Sequence, residues 1–117
     1  MSDELQDDET VLRHIPRGRR VASQDFKLRT QKGETGLSVS RCPPTTPAAL
    51  VARVSQQPEA SGVAAARVGD IRRLGLDVVP DPLPDDPGHA LILAAASSPA
   101  DQVTRDDLAE VFRLLPP

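Results

Sequence analysis

The stretch Val68–Ala96, VGDIRRLGLDVVPDPLPDDPGHALILAAA, carries the densest apolar pattern of the chain and its sharpest turn chemistry. Ile71 and Leu74 flank the pair Arg72-Arg73, and Gly75 follows. A short helix from Asp70 accounts for that spacing, with Asp as N-cap and Gly in the left-handed position past the end. Leu76–Val79 then reads as a strand. Pro80, Pro82, Pro84 and Pro87 bring no N–H to a ladder, and Asp85-Asp86 favours a turn, so Pro80–Gly88 is expected as a rigid acidic loop. His89–Ala96 resumes as an apolar run. Its length suits a buried strand, although its alanines leave a short helix open. The stretch therefore predicts strand, stiff loop, strand, with His89 at the mouth of the second strand.

On its C-terminal side, Thr104-Arg105-Asp106-Asp107 resembles a capping box with Asp in place of Glu. Leu108, Val111, Phe112 and Leu115 then make one apolar stripe, which predicts a helix over 104–115 lying across the sheet. On its N-terminal side, Val63–Val68 fits a strand slightly better than a helical lead-in. Thr46 as N-cap and Pro47 at the first helical position predict a helix over 47–57, ended by Pro58. Val11–Ile15 is a short strand stopped by Pro16. Val21, Ser23, Phe26 and Leu28 alternate loosely and suggest a second. Gln31–Gly36 reads as a hairpin loop, and Leu37–Arg41 alternates cleanly. Residues 11–41 are thus expected as an antiparallel meander with one basic surface.

Met1–Thr10 holds five acids and no base and reads as a disordered tail. The sum over residues 11–117 is a single α+β domain: a small, mostly antiparallel sheet of about five short strands with two principal helices packed on it.

The net charge of −3 conceals a reversal along the chain. Between Val11 and Arg41, eight Lys and Arg stand against two acids, and both flanking regions are acidic. The only aromatic residues are two Phe, so the core must rest on Val, Leu, Ile and Ala. Twelve Arg against two Lys, with abundant Ala, is the bias of a GC-rich coding genome and suggests a bacterial source. A single Cys, Cys42, excludes an internal disulfide, and one Cys with two His cannot supply a four-ligand zinc site without carboxylates. No cofactor is expected. The start lacks a basic and apolar leader pattern, and no run approaches eighteen apolar residues, so a cytoplasmic protein is expected.

His14 and His89 both fall at strand ends beside proline-bearing segments. Were those strands neighbours, the two imidazoles would make an acid–base pair suited to cleaving a phosphate ester, with arginine clamps. The plainer reading has His89 capping the loop through a backbone hydrogen bond and His14 exposed on its strand. Arg13, Arg17, Arg19, Arg20 and Arg41, with Lys27, Arg29 and Lys32, are candidates to bind phosphate or an acidic partner. Against nucleic acid, aromatic surface for base stacking is nearly absent.

Arg41-Cys42-Pro43-Pro44-Thr45-Thr46-Pro47 has the R-x-x-P-x-x-P spacing of a polyproline II ligand, but Pro47 looks committed to a helix. Asp81, Asp85 and Asp86 do not match an EF-hand and are expected to be solvated. Cys42 has no nucleophile motif around it.

Two functions follow from different classes. One is a small non-catalytic interaction protein, an accessory subunit or adaptor in a bacterial complex, whose partner is another protein. The other is a small enzyme acting on a nucleotide or RNA with His14 and His89. Separation of the imidazoles by more than ~10 Å would count against the enzyme, and a concavity shared by His89 and Arg13, Arg17 or Arg41 would count for it.

Overall fold

The computed structural model describes residues 4–16, 20–26, 36–54, 60–94 and 102–116. The strands are β1 (Thr10–Ile15), β2 (Leu37–Cys42), β3 (Gly62–Arg67), β4 (Leu76–Pro80), β5 (His89–Ala94) and β6 (Arg113–Leu114). They form one open sheet in the order β4-β5-β2-β1-β3-β6, with every neighbouring pair antiparallel. The helices are α1 (Pro47–Val54), α2 (Val68–Arg72) and α3 (Gln102–Val111), with a 3-10 turn at Ser23–Phe26. The class is α+β, with six strands rather than about five and a short third helix beside the two longer ones.

Alternation along the strands sorts their side chains onto two faces. Val11, Ile15, Leu37, Val39, Ala64, Ala66, Leu76, Val78, Ala90 and Ile92 share one face and form the main core. Ile71 of α2, Leu108 of α3, Phe112 just past its end, and Phe26 of the 3-10 turn close over it. The chain's two Phe meet there, ring centroids 4.9 Å apart and planes tilted by 42°, a geometry the ring quadrupole favours. The opposite face carries a smaller cluster of Leu12, Val63 and Leu50, the last supplied by α1.

The central stretch folds as strand, loop, strand. Gly75 adopts a φ of 84°, which a side chain would resist, and turns the chain from α2 into β4. Asp77–Val79 pair with Leu91–Leu93, and the ladder gains a further rung where the Asp81 N–H donates to the His89 carbonyl at 2.9 Å. At the N-terminus of α1, the Thr46 hydroxyl accepts the Ala49 N–H at 3.2 Å, as the Thr-Pro pair predicts.

Four expectations are corrected. The segment before β1 is not a disordered tail from residue 4 onward. Leu5 is only 1% exposed in the main core, and the Glu9 and Asp7 carbonyls accept the Val68 and Gly69 N–H groups, each at 2.9 Å. Those bonds satisfy the orphan donors at the start of α2, which therefore begins at Val68 and not at an Asp70 cap. Asp70 instead pairs with Arg73 on the surface.

Residues 21–26 are not a strand, so residues 11–41 are not a simple meander. The Asp25 carboxylate accepts the Ala22 N–H at 2.9 Å, and the Ala22 carbonyl accepts the Asp25 N–H, which closes a 3-10 turn. Residues 27 and 28 of the expected strand lie outside the described residues.

The C-terminal helix does not run over 104–115. Thr104 lies within α3, and the chain leaves the helix after Val111 to pair β6 with β3. This covers an edge that would otherwise expose ladder groups, and the Leu115 N–H donates to the Val63 carbonyl at 2.8 Å. Leu115 thereby joins the smaller cluster on the opposite face from Leu108 and Phe112. Among the described residues no helix is long and apolar enough to cross a membrane.

Candidate functional site

The face that carries α1 holds a concavity of about 660 Å³. Strand register builds its floor. Ser40 lies opposite Leu12 on β1 and opposite His89 on β5, so Leu12, Ser40 and His89 form one row across the face. Leu50, Arg53 and Val54 of α1 border one side, and Leu83, Asp85 and Asp86 of the loop border the other.

The loop is itself a small hairpin. Leu83 and Asp86 exchange both backbone hydrogen bonds, at 2.9 and 3.0 Å, around Pro84-Asp85. That turn sends the Asp86 side chain inward, where it is 2% exposed rather than solvated as expected. Its carboxylate accepts the Ser40 hydroxyl at 2.8 Å, the Thr45 hydroxyl at 3.2 Å and the Arg53 guanidinium at 2.9 Å. A buried carboxylate is tolerable only when bonded this fully. Gly88 follows in close contact: an added Cβ would lie 3.0 Å from Pro44 Cδ. Thr45 is thus part of the packed interior, and Pro47 opens α1, so the R-x-x-P-x-x-P segment presents no continuous polyproline face.

Both histidines border this concavity. Leu12 and His89 are two strands apart, and His14 lies two residues further along β1. At the usual strand spacing and rise, the Cα atoms of His14 and His89 are roughly 12 Å apart. The rings are also held towards opposite edges of the sheet. His14 Nε2 meets the Ser61 hydroxyl at 3.0 Å on the β3 side. His89 Nδ1 meets the Asp81 carbonyl at 3.0 Å and the Asp81 carboxylate at 3.1 Å on the β4 side. Burial, with a smaller contribution from the Arg13 charge, holds the His14 imidazole below its ordinary value against the opposing pull of Asp25. His14 therefore favours the neutral form.

The candidate arginines do not converge. Arg13 fills the place where β1 and β2 part after the Leu12–Ser40 pair. Its guanidinium donates to the Asp25 carbonyl at 2.8 and 2.6 Å and to the Ser38 carbonyl at 2.7 Å, and lies 5.4 Å from the centre of the Phe26 ring. Arg41 is engaged with both carboxylate oxygens of Glu9, at 2.8 and 3.0 Å. Arg20 is exposed and does not border the concavity. Arg17 and Arg19, like Lys27, Arg29 and Lys32, lie outside the described residues. Among the described residues no cluster of three or more His, Cys, Asp or Glu could hold a metal ion.

Sequence reasoning missed Arg53, Asp86, Val54 and Leu83 as residues of this site. The local signal for Asp86 was the Pro-Asp-Asp-Pro turn, but its direction depends on Ser40, Thr45 and Arg53. Val54 and Leu83 are 45% and 41% exposed, the large hydrophobic residues left in the open among those described, and both border the concavity. Compared with protein-family models, curated proteins and solved structures, the chain matches none.

Proposed function

We propose that the chain is a non-catalytic interaction module, an accessory subunit or adaptor of a cytoplasmic bacterial complex, that takes a partner protein into the concavity between α1 and the Pro80–Gly88 loop. The observation that carries this reading is the placement of Val54 and Leu83 on two different walls of one concavity. Exposed apolar groups gathered at a recess favour association with another protein. The commitment of Arg13 to carbonyls and the pairing of Arg53 with Asp86 support it further, since a phosphate would have to displace the Arg13 bonds and compete with Asp86 for the Arg53 charge. The arginine- and alanine-rich composition is the support for a bacterial setting.

One observation favours the second reading, a nucleotide- or RNA-processing enzyme: His14 and His89 share the concavity. Their separate anchors at Ser61 and Asp81, towards opposite edges of the sheet, weigh against both serving one substrate bond.

The test is native purification of the tagged full chain beside Val54→Ser and Leu83→Ser. The expected result is a stoichiometric protein partner held by the parent chain and released by both variants, with unchanged melting midpoints. The chain has no Trp or Tyr, so bound material dominates its ultraviolet spectrum. A 260 nm-absorbing ligand that both variants retain and His89→Gln loses would replace this reading with the second.

A further inference from the structure

Resting on the groove reading, we propose that the segment accepted there is basic as well as aliphatic: a lysine or arginine flanked by leucine- or valine-like side chains. Of the two arginines that border the concavity, Arg13 gives all three guanidinium nitrogens to the Asp25 and Ser38 carbonyls, and Arg53 gives Nη2 to Ser40 and to Asp86, whose carboxylate balances its charge. Two acceptors at its border are left open. Asp85 is exposed at the tip of the small hairpin, two residues from Leu83, and has no partner among the described residues. His89 turns Nδ1 to two acceptors, the carbonyl and the carboxylate of Asp81, so Nδ1 carries the ring hydrogen. In the neutral ring Nε2 is then an acceptor, and the ring borders the concavity.

An ammonium or guanidinium group satisfies both acceptors, and its aliphatic neighbours cover Val54 and Leu83. An acidic or phosphorylated segment would meet Asp85 with like charge and would find the bordering arginines already bonded. The preferred partner is therefore the opposite of the acidic one that the basic third of the sequence suggests.

The test titrates the full ¹⁵N-labelled chain with short synthetic peptides differing only in a central triplet: Leu-Arg-Leu, Leu-Glu-Leu or Gly-Arg-Gly. The expected result is that Leu-Arg-Leu shifts the amides of Val54, Leu83, Asp85 and His89 and binds about tenfold tighter than Leu-Glu-Leu, the reach of an ion pair gained against a like-charge contact. Gly-Arg-Gly binds more weakly than Leu-Arg-Leu. Asp85→Asn costs Leu-Arg-Leu binding up to about fivefold, the upper range for one exposed ion pair, and flattens its salt dependence. His89→Gln weakens it further, and Leu83→Ser weakens both leucine peptides.

Equal binding of Leu-Glu-Leu at these amides, lost in Leu83→Ser, would leave the groove a protein site and overturn its basic preference alone. The preference also falls if Asp85→Asn binds Leu-Arg-Leu like the parent chain. No binding by any peptide at millimolar concentration, with saturable shifts at His14 and His89 on adding AMP, would overturn both the preference and the groove reading.

Discussion

Arg53 of α1 donates to the Asp86 carboxylate at 2.9 Å, and Asp86 is 2% exposed while Arg53 is 26% exposed. This contact ties together the two walls of the concavity. It also fixes the direction of the small hairpin on which Leu83 and Asp85 stand.

Asp86→Ala is therefore expected to cost about 3 kcal/mol, because it strips Arg53 of its partner and leaves the Ser40 and Thr45 hydroxyls without their acceptor. Asp86→Asn keeps an acceptor for the hydroxyls and should recover part of that loss. Urea midpoints at an unchanged slope measure both. A midpoint for Asp86→Ala equal to that of the parent chain would show that the network contributes nothing.

Leu5→Ala should cost about 2–4 kcal/mol, the range for emptying a well-packed leucine site. Removing residues 1–9 should lower the melting temperature further, since the carbonyls that receive the first N–H groups of α2 go with them. Such a truncation acts on stability. Unscreening of a basic surface, the effect expected of a loose acidic tail, would instead appear as tighter polyanion binding at an unchanged melting temperature.

β4 lies at the edge of the sheet, yet its outward groups are covered. The Asp77 carboxylate accepts the Val78 N–H at 2.8 Å, Arg72 donates to the Val78 carbonyl at 3.4 Å, and Pro80 has no N–H. Such devices block strand addition. Asp77→Ala should raise the self-associated fraction in sedimentation velocity at high protein concentration. Identical profiles for variant and parent would mean that the edge is protected by other means.

Acid should weaken the fold in two stages. His14 is held below its ordinary value, so the unfolded chain binds its proton first. The stability it contributes is complete above about pH 6.5 and is lost as pH falls through the folded value. Burial raises the Glu9 carboxyl, but the Gln6 N–H and the Arg41 guanidinium overcome that and lower it. Its contribution is complete above about pH 4.3 and is lost as pH falls below that. Urea midpoints across this range should lose the upper stage in His14→Gln and the lower stage in Glu9→Gln. An unaltered pH profile in either variant would remove that residue from the account.

Elements with a local cause were legible. The β4–loop–β5 unit follows from apolar runs separated by four prolines, the start of α1 from Thr46-Pro47, and the burial of Leu37 and Val39 from simple alternation. The misreadings share another origin. Leu5 is one apolar residue among acids, and nothing near it in sequence reveals the core that receives it. The loose alternation of residues 21–28 lost to a side-chain bond from Asp25 to Ala22. The stripe Leu108–Leu115 fits one helix face, but β3 offers an open edge that captures Arg113 and Leu114.

The sequence by itself determined the α+β class, the order of most strands and helices along the chain, and the proline-framed loop between β4 and β5. Periodicity, proline and glycine act on backbone torsions within a few residues, so these properties travel with the local sequence. Only the tertiary structure decided which polar groups are engaged within the chain and which are left open. Arg13, Arg41, Arg53 and Asp86 are bonded to groups 12 to 46 residues away, and those bonds exist only once strand register brings the partners together. A charge engaged in this way cannot serve a ligand without first being released, and for that reason the count of arginines did not reveal the character of the site.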